Sequence, residues 1–245
     1  MGDTENQASG GQLLAAFLEI TDGKELKGAT MGEFIIQDCT LLTRTSGVPP
    51  AINLRELRDR LATCRQDVLY HHFCETPLVP SFDNPDYHND FAVWALMQLA
   101  DRVLAERLGI INPYVFADLE KLREQVLEVL DERLSEVLFI PSCQPGGEFF
   151  FTEAVTVVFD TGMRIKAPEE LPEAIGSMTN GSIYFHFLEA RRREPVGNDD
   201  FSAWLAGFPG QEAWYNTLQT VDFAFFTLTE LQGELVRVLK KGGDS

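Results

Sequence analysis

Two sets of side chains in this sequence could carry out acid–base chemistry, because each set combines a tyrosine, a histidine and an aspartate. The sets are Tyr70, His72 and Asp90 in the first half of the chain and Tyr184, His186 and Asp200 in the second half. An aspartate that orients an imidazole is found in hydrolase triads. However, no nucleophile accompanies both sets, since Cys74 in the first half is replaced by Leu188 in the second. The catalytic hypothesis therefore lacks a reacting group.

A structural role for the same residues is the simpler hypothesis. His72 lies among apolar residues, and a buried imidazole N–H without a partner costs about 1–3 kcal/mol. Asp90 is the natural acceptor for His72, and Asp200 is the natural acceptor for His186. We therefore predict two hydrogen bonds that each tie one helix to the next, and we assign no catalytic residue.

A metal site in the first half is a further alternative, because His71, Cys74 and His88 lie close to His72 in the sequence. Adjacent histidines on a helix diverge by about 100°, so His71 and His72 do not readily bind one ion. The second half keeps only His186 of this group. We predict neither a metal ion nor another cofactor.

The basic run Arg191-Arg192-Arg193 could clamp a phosphate or a sugar phosphate, because guanidinium groups bind such anions through paired hydrogen bonds. Arginines in a loop of an acidic protein also form surface ion pairs. Trp214 and Tyr215 have no match in the first half and are candidates for an exposed binding patch. We assign Arg191, Arg192, Arg193 and Trp214 as candidate ligand-binding residues.

The elements that position these side chains recur at a nearly constant separation. Gly32 and Gly147 are 115 residues apart, His72 and His186 are 114 apart, and Trp94 and Trp204 are 110 apart. The separation changes in loops, where variation in length is expected. We therefore predict an internal duplication of a unit of about 100 residues, with a first repeat at 32–140 and a second repeat at 147–241.

Apolar spacing and capping residues predict a mainly α fold. Asn53 and Glu56 form a capping box at the start of one helix, and Pro168 suits the first position of the corresponding helix. Long amphipathic helices are predicted over 119–134 and 228–239. Each repeat is expected to have at most a short strand or extended segment at its start.

The histidine partners are predicted to lie at helix starts. Asp90 and Asp200 are predicted N-caps, whose carboxylates accept backbone N–H groups of the first turn. The helix after Asp90 is expected to continue through Leu108. In the second repeat, Gly207 and Pro209 are expected to shorten or break the corresponding helix.

The overall charge limits the classes of partner. The chain has 245 residues and a net charge of −18, so its surface repels nucleic acids and anionic lipids. The N-terminus lacks the features of a secretory signal, and no apolar run approaches the ~20 residues that cross a bilayer. Four cysteines without Cys-x-x-Cys spacing indicate reduced thiols. We expect a cytoplasmic protein with a disordered tail at 1–11 and an N-terminal helix and linker at 12–31.

The repeated motifs resemble a bacterial and archaeal family of domains of unknown function. In the first half they are Phe34, Thr45-Ser-Gly47, Asn53-Leu-Arg-Glu-Leu57, Tyr70-His-His72 and Asn89-Asp-Phe-Ala-Val-Trp94. In the second half they are Phe149, Thr161-Gly162, Tyr184-Phe-His186 and Asp199-Asp-Phe-Ser-Ala-Trp204. Cys74 and Leu188 depart from the family pattern, in which a second histidine is common at that position. The resemblance implies two tandem copies and an association of some members with carbohydrate-active enzymes.

The sequence favours a non-enzymatic protein-interaction or regulatory module, since no catalytic set recurs with a nucleophile. We expect a protein partner or self-association, and no nucleic acid or membrane as a partner. The alternative is a protein that binds a small molecule, such as a sugar or an anionic phosphorylated metabolite, or an accessory domain in carbohydrate metabolism. A His/Asp acid–base enzyme is the third hypothesis.

Overall fold

The computed structural model describes residues 32–82, 87–116, 118–193, 197–224 and 226–242. The expected tail at 1–11 and the expected helix and linker at 12–31 lie outside the described residues. The elements, in chain order, are β1 (Phe34–Thr45), α1 (Leu54–Leu61), α2 (Gln66–Tyr70), α3 (Asp90–Met97), α4 (Arg102–Gly109), α5 (Leu119–Glu136), β2 (Thr152–Ile165), α6 (Leu171–Ser177), α7 (Asn180–Ile183), α8 (Asp200–Leu205), α9 (Glu212–Gln219) and α10 (Leu228–Gly242). The expectation of a mainly α protein is confirmed. Within the described ranges, no helix combines the length and the apolar character needed to span a bilayer.

Short non-α turns connect several of these helices. Each of α2 and α7 continues into a π-helical turn, at His71–Glu75 and Tyr184–Leu188. The 3-10 turns are Pro113–Val115, Pro168–Glu170 and Glu189–Arg192. Single π turns are rare and occur preferentially at functional sites, so the two histidine segments stand out in local geometry as well as in sequence.

The two strands form one long antiparallel ribbon. Their register runs from Phe34 opposite Ile165 to Thr45 opposite Thr152, with a bulge between Ile35 and Gln37. The prediction of at most a short strand is wrong, because β1 has 12 residues and β2 has 14. Each strand pairs with a strand from the other half of the sequence. This pairing stabilises strands that are longer than the apolar pattern of either segment predicts.

Two hydrophobic cores lie on the inner side of this ribbon, and each includes residues from the start of the other half. The first core is built from α1 to α5 and contains Phe149 and Phe151. The second is built from α6 to α10 and contains Phe34 and Ile36. The opening segment of each half of the sequence therefore packs in the core that the other half builds.

The cap of α1 follows the sequence. The side chain of Asn53 accepts the backbone N–H of Glu56 at 2.9 Å, and the Glu56 carboxylate accepts the N–H of Ile52 at 3.1 Å. The predicted N-cap at Asn53 is thus confirmed, but Glu56 bonds the N–H of Ile52 rather than that of Asn53, so the reciprocal bond of a capping box is shifted by one residue. The long helices α5 and α10 also confirm the predicted amphipathic segments.

The helix after Asp90 does not continue through Leu108. It ends at Met97, and α4 begins again at Arg102. Ala100 adopts a φ of 52°, and Asp101 caps α4 by accepting the N–H of Leu104 at 3.1 Å. Asp101 has a preferred N-cap residue type, so it was the local signal for this break. In the second half, α8 ends at Leu205 as the glycine and proline there predict.

The predicted N-caps of α3 and α8 are wrong by one residue. Asn89 caps α3 by accepting the N–H of Ala92 at 2.9 Å, and Asp199 caps α8 by accepting the N–H of Ser202 at 2.8 Å. Asp90 and Asp200 are instead the first helical residues. The preceding residue satisfies the helix start, which leaves both aspartate side chains to face the histidines.

Candidate functional site

The two histidine–aspartate pairs form with the same geometry. Nδ1 of His72 lies 2.7 Å from Oδ2 of Asp90, and Nδ1 of His186 lies 2.7 Å from Oδ2 of Asp200. Both imidazoles are buried on the π-helical turns. The predicted hydrogen bonds between neighbouring helical segments are confirmed.

The second nitrogen of each imidazole binds the ribbon. Nε2 of His72 accepts the backbone N–H of Thr152 at 3.0 Å, and Nε2 of His186 accepts the backbone N–H of Gln37 at 2.9 Å. Each histidine thus joins its own helices to the strand that begins in the other half. Sequence reasoning missed Thr152 and Gln37, because a backbone donor is available from almost any residue type.

These bonds fix the protonation state of His72. An Nε2 that accepts an N–H carries no proton, so Nδ1 is the donor to Asp90 and the ring is neutral. Burial lowers the pKa of His72 from its ordinary value of 6.5, and the hydrogen bond to Asp90 opposes that shift. Both ring nitrogens are occupied within the fold, so His72 has no lone pair directed at a substrate.

The two aspartates differ in their additional donors. Oδ2 of Asp90 accepts the hydroxyl of Ser81 at 2.6 Å, and the side chain is only 3% exposed. Oδ2 of Asp200 accepts Nη2 of Arg193 at 2.9 Å, and the side chain is 31% exposed. The first carboxylate therefore depends on neutral donors in a buried site, whereas the second has a cation and access to water.

The tyrosines of the two predicted sets do not join the histidines. The hydroxyl of Tyr70 donates to the carboxylate of Glu189. Tyr184 is fully buried, and its hydroxyl has no hydrogen-bond partner among the described residues. Burial raises the pKa of both phenols well above the ordinary value. The structure thus brings together His72 with Asp90 and His186 with Asp200, but not the complete acid–base sets.

Two glutamates beneath the ribbon were missed by sequence reasoning. Glu75 is buried; its Oε2 lies 2.7 Å from Nδ1 of His71, and its Oε1 accepts the hydroxyl of Thr156 at 3.3 Å. Burial raises the pKa of Glu189, although its bond to Tyr70 opposes the shift. Glu75 and Glu189 are 114 residues apart, the same separation as the histidines, and that match was the available signal.

The three consecutive arginines bind groups within the protein. Nη2 of Arg191 donates to Asp199 at 2.9 Å, and its guanidinium lies over two phenylalanine rings. Nη1 of Arg192 donates to the carbonyl of Pro113 at 3.0 Å. Arg193 donates to the carbonyl of Phe185 as well as to Asp200. These contacts tie the turn after the second π helix to its surroundings and use part of the N–H groups of the three arginines. Among the described residues, Nε of Arg191 and Nε of Arg193 have no hydrogen-bond partner.

Trp214 lies in a different environment from the one expected. It is only 8% exposed and belongs to the second core. The prediction that it lies in an exposed patch is wrong, because the amphipathic spacing of α9 turns Trp214 and Leu218 inward together.

The cluster of possible metal ligands in the first half is dispersed by the fold. His71 binds Glu75 and His72 binds Asp90, so the adjacent histidines have separate partners. Burial raises the pKa of Cys74 to about 12, which keeps the thiol protonated. In the part of the chain that the structure describes, no group of three or more His, Cys, Asp or Glu side chains is placed to hold a metal ion.

Apolar side chains are exposed on two surfaces. The first, which we call the linker patch, has two almost fully exposed members, Leu138 at 91% and Phe139 at 84%. The remaining members of the linker patch are Ile52, Ile140 and Phe150. Backbone bonds hold these segments side by side: the N–H of Cys143 donates to Ile52 at 2.9 Å, and Ala51 pairs with Phe149.

The second surface is the outer side of the ribbon. Alternation along the strands places one set of side chains on this side, and the register brings Leu42 opposite Val155 and Thr40 opposite Val157. We call this the ribbon face, defined by Thr40, Leu42, Val155, Val157 and Phe159. All five side chains are exposed.

A pocket lies between the two cores. Its lining includes Phe73 and Tyr114 from the first half and Leu188 and Phe223 from the second. Its cavity volume is about 30 Å³, and the surrounding empty space of about 500 Å³ includes open solvent. The lining is mainly apolar, so the pocket suits an apolar group better than a phosphate.

Comparisons with known proteins relate the chain to a family and to one solved fold. The model of a family described as "Family of unknown function (DUF5752)" matches residues 31–240 and treats both halves as one unit. No curated protein matches the chain. The structure of OrfY from Thermoproteus tenax is similar, with 25% sequence identity and a TM-score of 0.73, over 89% of this chain and 99% of that one.

Proposed function

We propose a function for a chain that belongs to the family of unknown function (DUF5752): it is a non-enzymatic protein-interaction or regulatory module. The observation that carries the proposal is the linker patch, where Leu138 and Phe139 project almost completely into solvent. The geometry of the histidines supports it as well, because both ring nitrogens of His72 are bound within the fold.

The module is built from two tandem repeats that have exchanged their opening segments. Corresponding bonds support this arrangement. The hydroxyl of Ser46 donates to the carbonyl of Phe151 at 2.8 Å, and the hydroxyl of Thr161 donates to the carbonyl of Ile36 at 2.6 Å. Ser46 and Thr161 are 115 residues apart, as are Ile36 and Phe151.

The centre of the ribbon supports the same arrangement. Leu41 pairs directly with Thr156, and these residues are also 115 apart. An antiparallel pair formed by corresponding residues is the position through which a local two-fold axis would pass. The two histidine bonds to the ribbon are then related by this axis. Their acceptors, His72 and His186, are 114 residues apart, and their donors, Gln37 and Thr152, are 115 residues apart.

The linker patch has the composition of a protein-binding surface. Burial of one large apolar side chain contributes roughly 1.5–3 kcal/mol, so Leu138 and Phe139 together could supply about 3–6 kcal/mol to a complex. Aromatic anchors with well-exposed rings are typical centres of such interfaces. In a chain with a net charge of −18, a group of exposed apolar side chains is a part on which a partner avoids repulsion between like charges.

Site-specific photo-crosslinking in an extract of the source cells tests this function. A photoreactive phenylalanine analogue replaces Phe139, and the matched control carries it at Val103, an exposed position on α4. We expect one dominant cross-linked protein from position 139 that is weaker by at least tenfold from position 103. A second substitution, Leu138→Asp, should abolish the cross-link without changing the thermal unfolding of the free protein. Equal cross-linking from both positions, or none from position 139, contradicts the proposal.

The pocket between the cores favours a second candidate, a binding site for a small molecule. Its mainly apolar lining would take an apolar or aromatic compound, and the arginines expected to hold an anionic metabolite are not among its lining residues. Native mass spectrometry of protein purified from its source is the test. A retained compound that is lost in Leu188→Trp, which fills the pocket, would support this candidate over the interaction module.

A further inference from the structure

We infer that a cavity beside His72 binds a small organic cation, whose ammonium group meets the polar part of the lining and whose apolar body meets phenylalanine rings. We call this the His72 cavity. Its volume is about 280 Å³, it opens to solvent on one side, and its lining includes Ser81 and Thr152 as well as His72. The inference does not rest on the function proposed above.

The apolar part of the lining is aromatic. It consists of the side chains of Phe82, Phe149 and Phe150. The ring of Phe150 is 60% exposed, so part of this aromatic surface is open to a ligand. The face of an aromatic ring attracts a cation electrostatically, in addition to its ordinary apolar contacts. This part of the cavity therefore suits an apolar body that carries a positive charge next to it.

The polar part of the lining offers mainly hydrogen-bond acceptors. Ser81 donates its hydroxyl proton to Asp90 at 2.6 Å, so the lone pairs of its Oγ remain for a ligand. Oε1 of Glu148 accepts the backbone N–H of Gly146 at 3.2 Å, which leaves further acceptor capacity on the carboxylate. Gln98 adds an amide oxygen. An ammonium group has three N–H donors and no acceptor, so it is complementary to these side chains.

The charge around the His72 cavity is negative. Glu148 lies in the lining, and none of the described residues that line the cavity is an arginine or a lysine. Ser81 in turn binds the buried carboxylate of Asp90, whose other side-chain donor is the neutral imidazole of His72. A cation in the cavity would therefore be attracted by two carboxylates, and no cationic side chain of the lining would oppose it.

The second half of the chain shows which group satisfies such a carboxylate. Nη2 of Arg193 donates to Oδ2 of Asp200 at 2.9 Å, and the same guanidinium lies 4.2 Å from the centroid of the Phe185 ring. In the proposed repeats Asp200 corresponds to Asp90, which has the Ser81 hydroxyl in place of a guanidinium. The His72 cavity thus offers an external cation the same two features that hold Arg193, a carboxylate and an aromatic ring.

The amide of Gln98 also differs from its counterpart in the second half. Gln98 and Phe208 are 110 residues apart, which is the separation of Trp94 and Trp204. The rings of Phe208 and Trp204 pack with their centroids 4.8 Å apart. Gln98→Phe would copy this aromatic pair into the first half, remove an acceptor from the lining and fill part of the His72 cavity. It is therefore a variant that blocks the cavity with a residue already found in the corresponding position.

Calorimetric titration of the full chain with benzylamine, benzyl alcohol and benzoate tests the inference, because the three probes share a ring and differ in charge. We expect benzylamine to bind about tenfold more tightly than benzyl alcohol, and benzoate to give no measurable binding. Raising the salt concentration from about 50 to about 500 mM should weaken the binding of benzylamine severalfold. Equal affinities for the amine and the alcohol, or no binding of benzylamine up to about 20 mM, overturn the inference.

Substitutions show whether benzylamine binds in this cavity. Glu148→Gln removes one charge from the lining and should weaken benzylamine binding about fivefold or more. Glu169→Gln, the matched control, removes the same charge from an exposed position in the second half and should leave the affinity unchanged. Gln98→Phe should abolish binding, and its thermal unfolding shows whether the variant is folded. Equal affinities in the two glutamate variants, or binding that survives in folded Gln98→Phe, overturn the assignment.

Two further variants separate this site from the proposals above. Leu188→Trp fills the pocket between the cores, so it should leave benzylamine binding unchanged. Leu138→Asp should also leave it unchanged, although it should abolish the cross-link from position 139. Loss of benzylamine binding in Leu188→Trp would move the ligand to the pocket between the cores and overturn the assignment to the His72 cavity.

Discussion

Removal of the His72 side chain should destabilise the protein far more than removal of its counterpart His186. In His72→Ala, the Asp90 carboxylate keeps the Ser81 hydroxyl but loses its imidazole donor, and the N–H of Thr152 loses its acceptor. In His186→Ala, Asp200 keeps Arg193 at 2.9 Å and remains partly in water. The two variants delete the same atoms in two different electrostatic environments.

The expected magnitudes follow from these environments. Removal of the neutral imidazole donor leaves the buried Asp90 carboxylate short of a partner, which costs about 3–5 kcal/mol when a buried charge loses its compensation, and a buried N–H left without an acceptor adds roughly 1–3 kcal/mol. Because such terms are not fully additive, we expect His72→Ala to lower the free energy of unfolding by about 4–6 kcal/mol. For His186→Ala we expect about 1.5–3 kcal/mol, mainly from the lost bond to Gln37 and lost aromatic packing against Phe34.

Denaturant titration and thermal unfolding measure this difference. With about 2–4 °C per kcal/mol for a chain of this size, the Tm should fall by about 8–24 °C in His72→Ala and by about 3–12 °C in His186→Ala. Asp90→Ala should lose less stability in the His72→Ala background than alone, because the partner is already absent. Equal losses in the two histidine variants, or an unchanged Tm in His72→Ala, would refute the electrostatic argument and return His72 to the catalytic hypothesis.

Three further measurements test other parts of the fold. Gly181→Ala should destabilise the protein by about 1–3 kcal/mol, since an added Cβ would clash with the carbonyl oxygen of Cys39. Gly233→Ala lies in open space on α10 and should stabilise the protein by about 0.5–1 kcal/mol, and equal effects of the two variants would contradict this packing. Burial lowers the pKa of His72 below that of the unfolded chain, so the unfolded state binds the extra proton and the free energy of unfolding should fall as pH decreases below ~6.5. His72→Gln should flatten that dependence. A wild-type profile that is no steeper than the variant's would show the assignment to be wrong. Burial raises the pKa of Cys39 and Cys74 to about 12, so a thiol reagent at neutral pH should react first with the partly exposed Cys143. Cys143→Ser should remove this fast phase of the reaction. A fast phase that persists would show that a buried thiol is accessible.

Local sequence rules predicted what is determined locally. The cap at Asn53 and the helices α5 and α10 depend on residues within a few turns of one another, and their patterns were sufficient. The N-caps at Asn89 and Asp199 were missed by one position because each is followed by an aspartate that is also a good cap. The missed break before Asp101 has the same cause: a cap residue lies inside an otherwise helical apolar pattern.

The histidine pairs could be predicted because both partners recur and because a buried imidazole requires an acceptor. Their bonds to the ribbon could not, since the donors at Thr152 and Gln37 are backbone groups. Glu75 and Glu189 could have been found from their separation of 114 residues. The π-helical turns have no comparable local signature, because their hydrogen-bond pattern depends on how the segment packs between the helices and the ribbon.

The exchange of opening segments is the feature that no pattern in one half could reveal. In the proposed duplication, Phe34 and Phe149 are corresponding residues, so either could fill the aromatic site beside either histidine with nearly the same contacts. Exchange of equivalent elements therefore changes few local interactions. In the proposed duplication, the exchange would add the ladder between β1 and β2, in which Leu41 lies opposite its corresponding residue Thr156. Because the ribbon links both histidines, the two cores should unfold together, and a single cooperative transition in His72→Ala and in His186→Ala would distinguish this coupling from two cores that unfold separately.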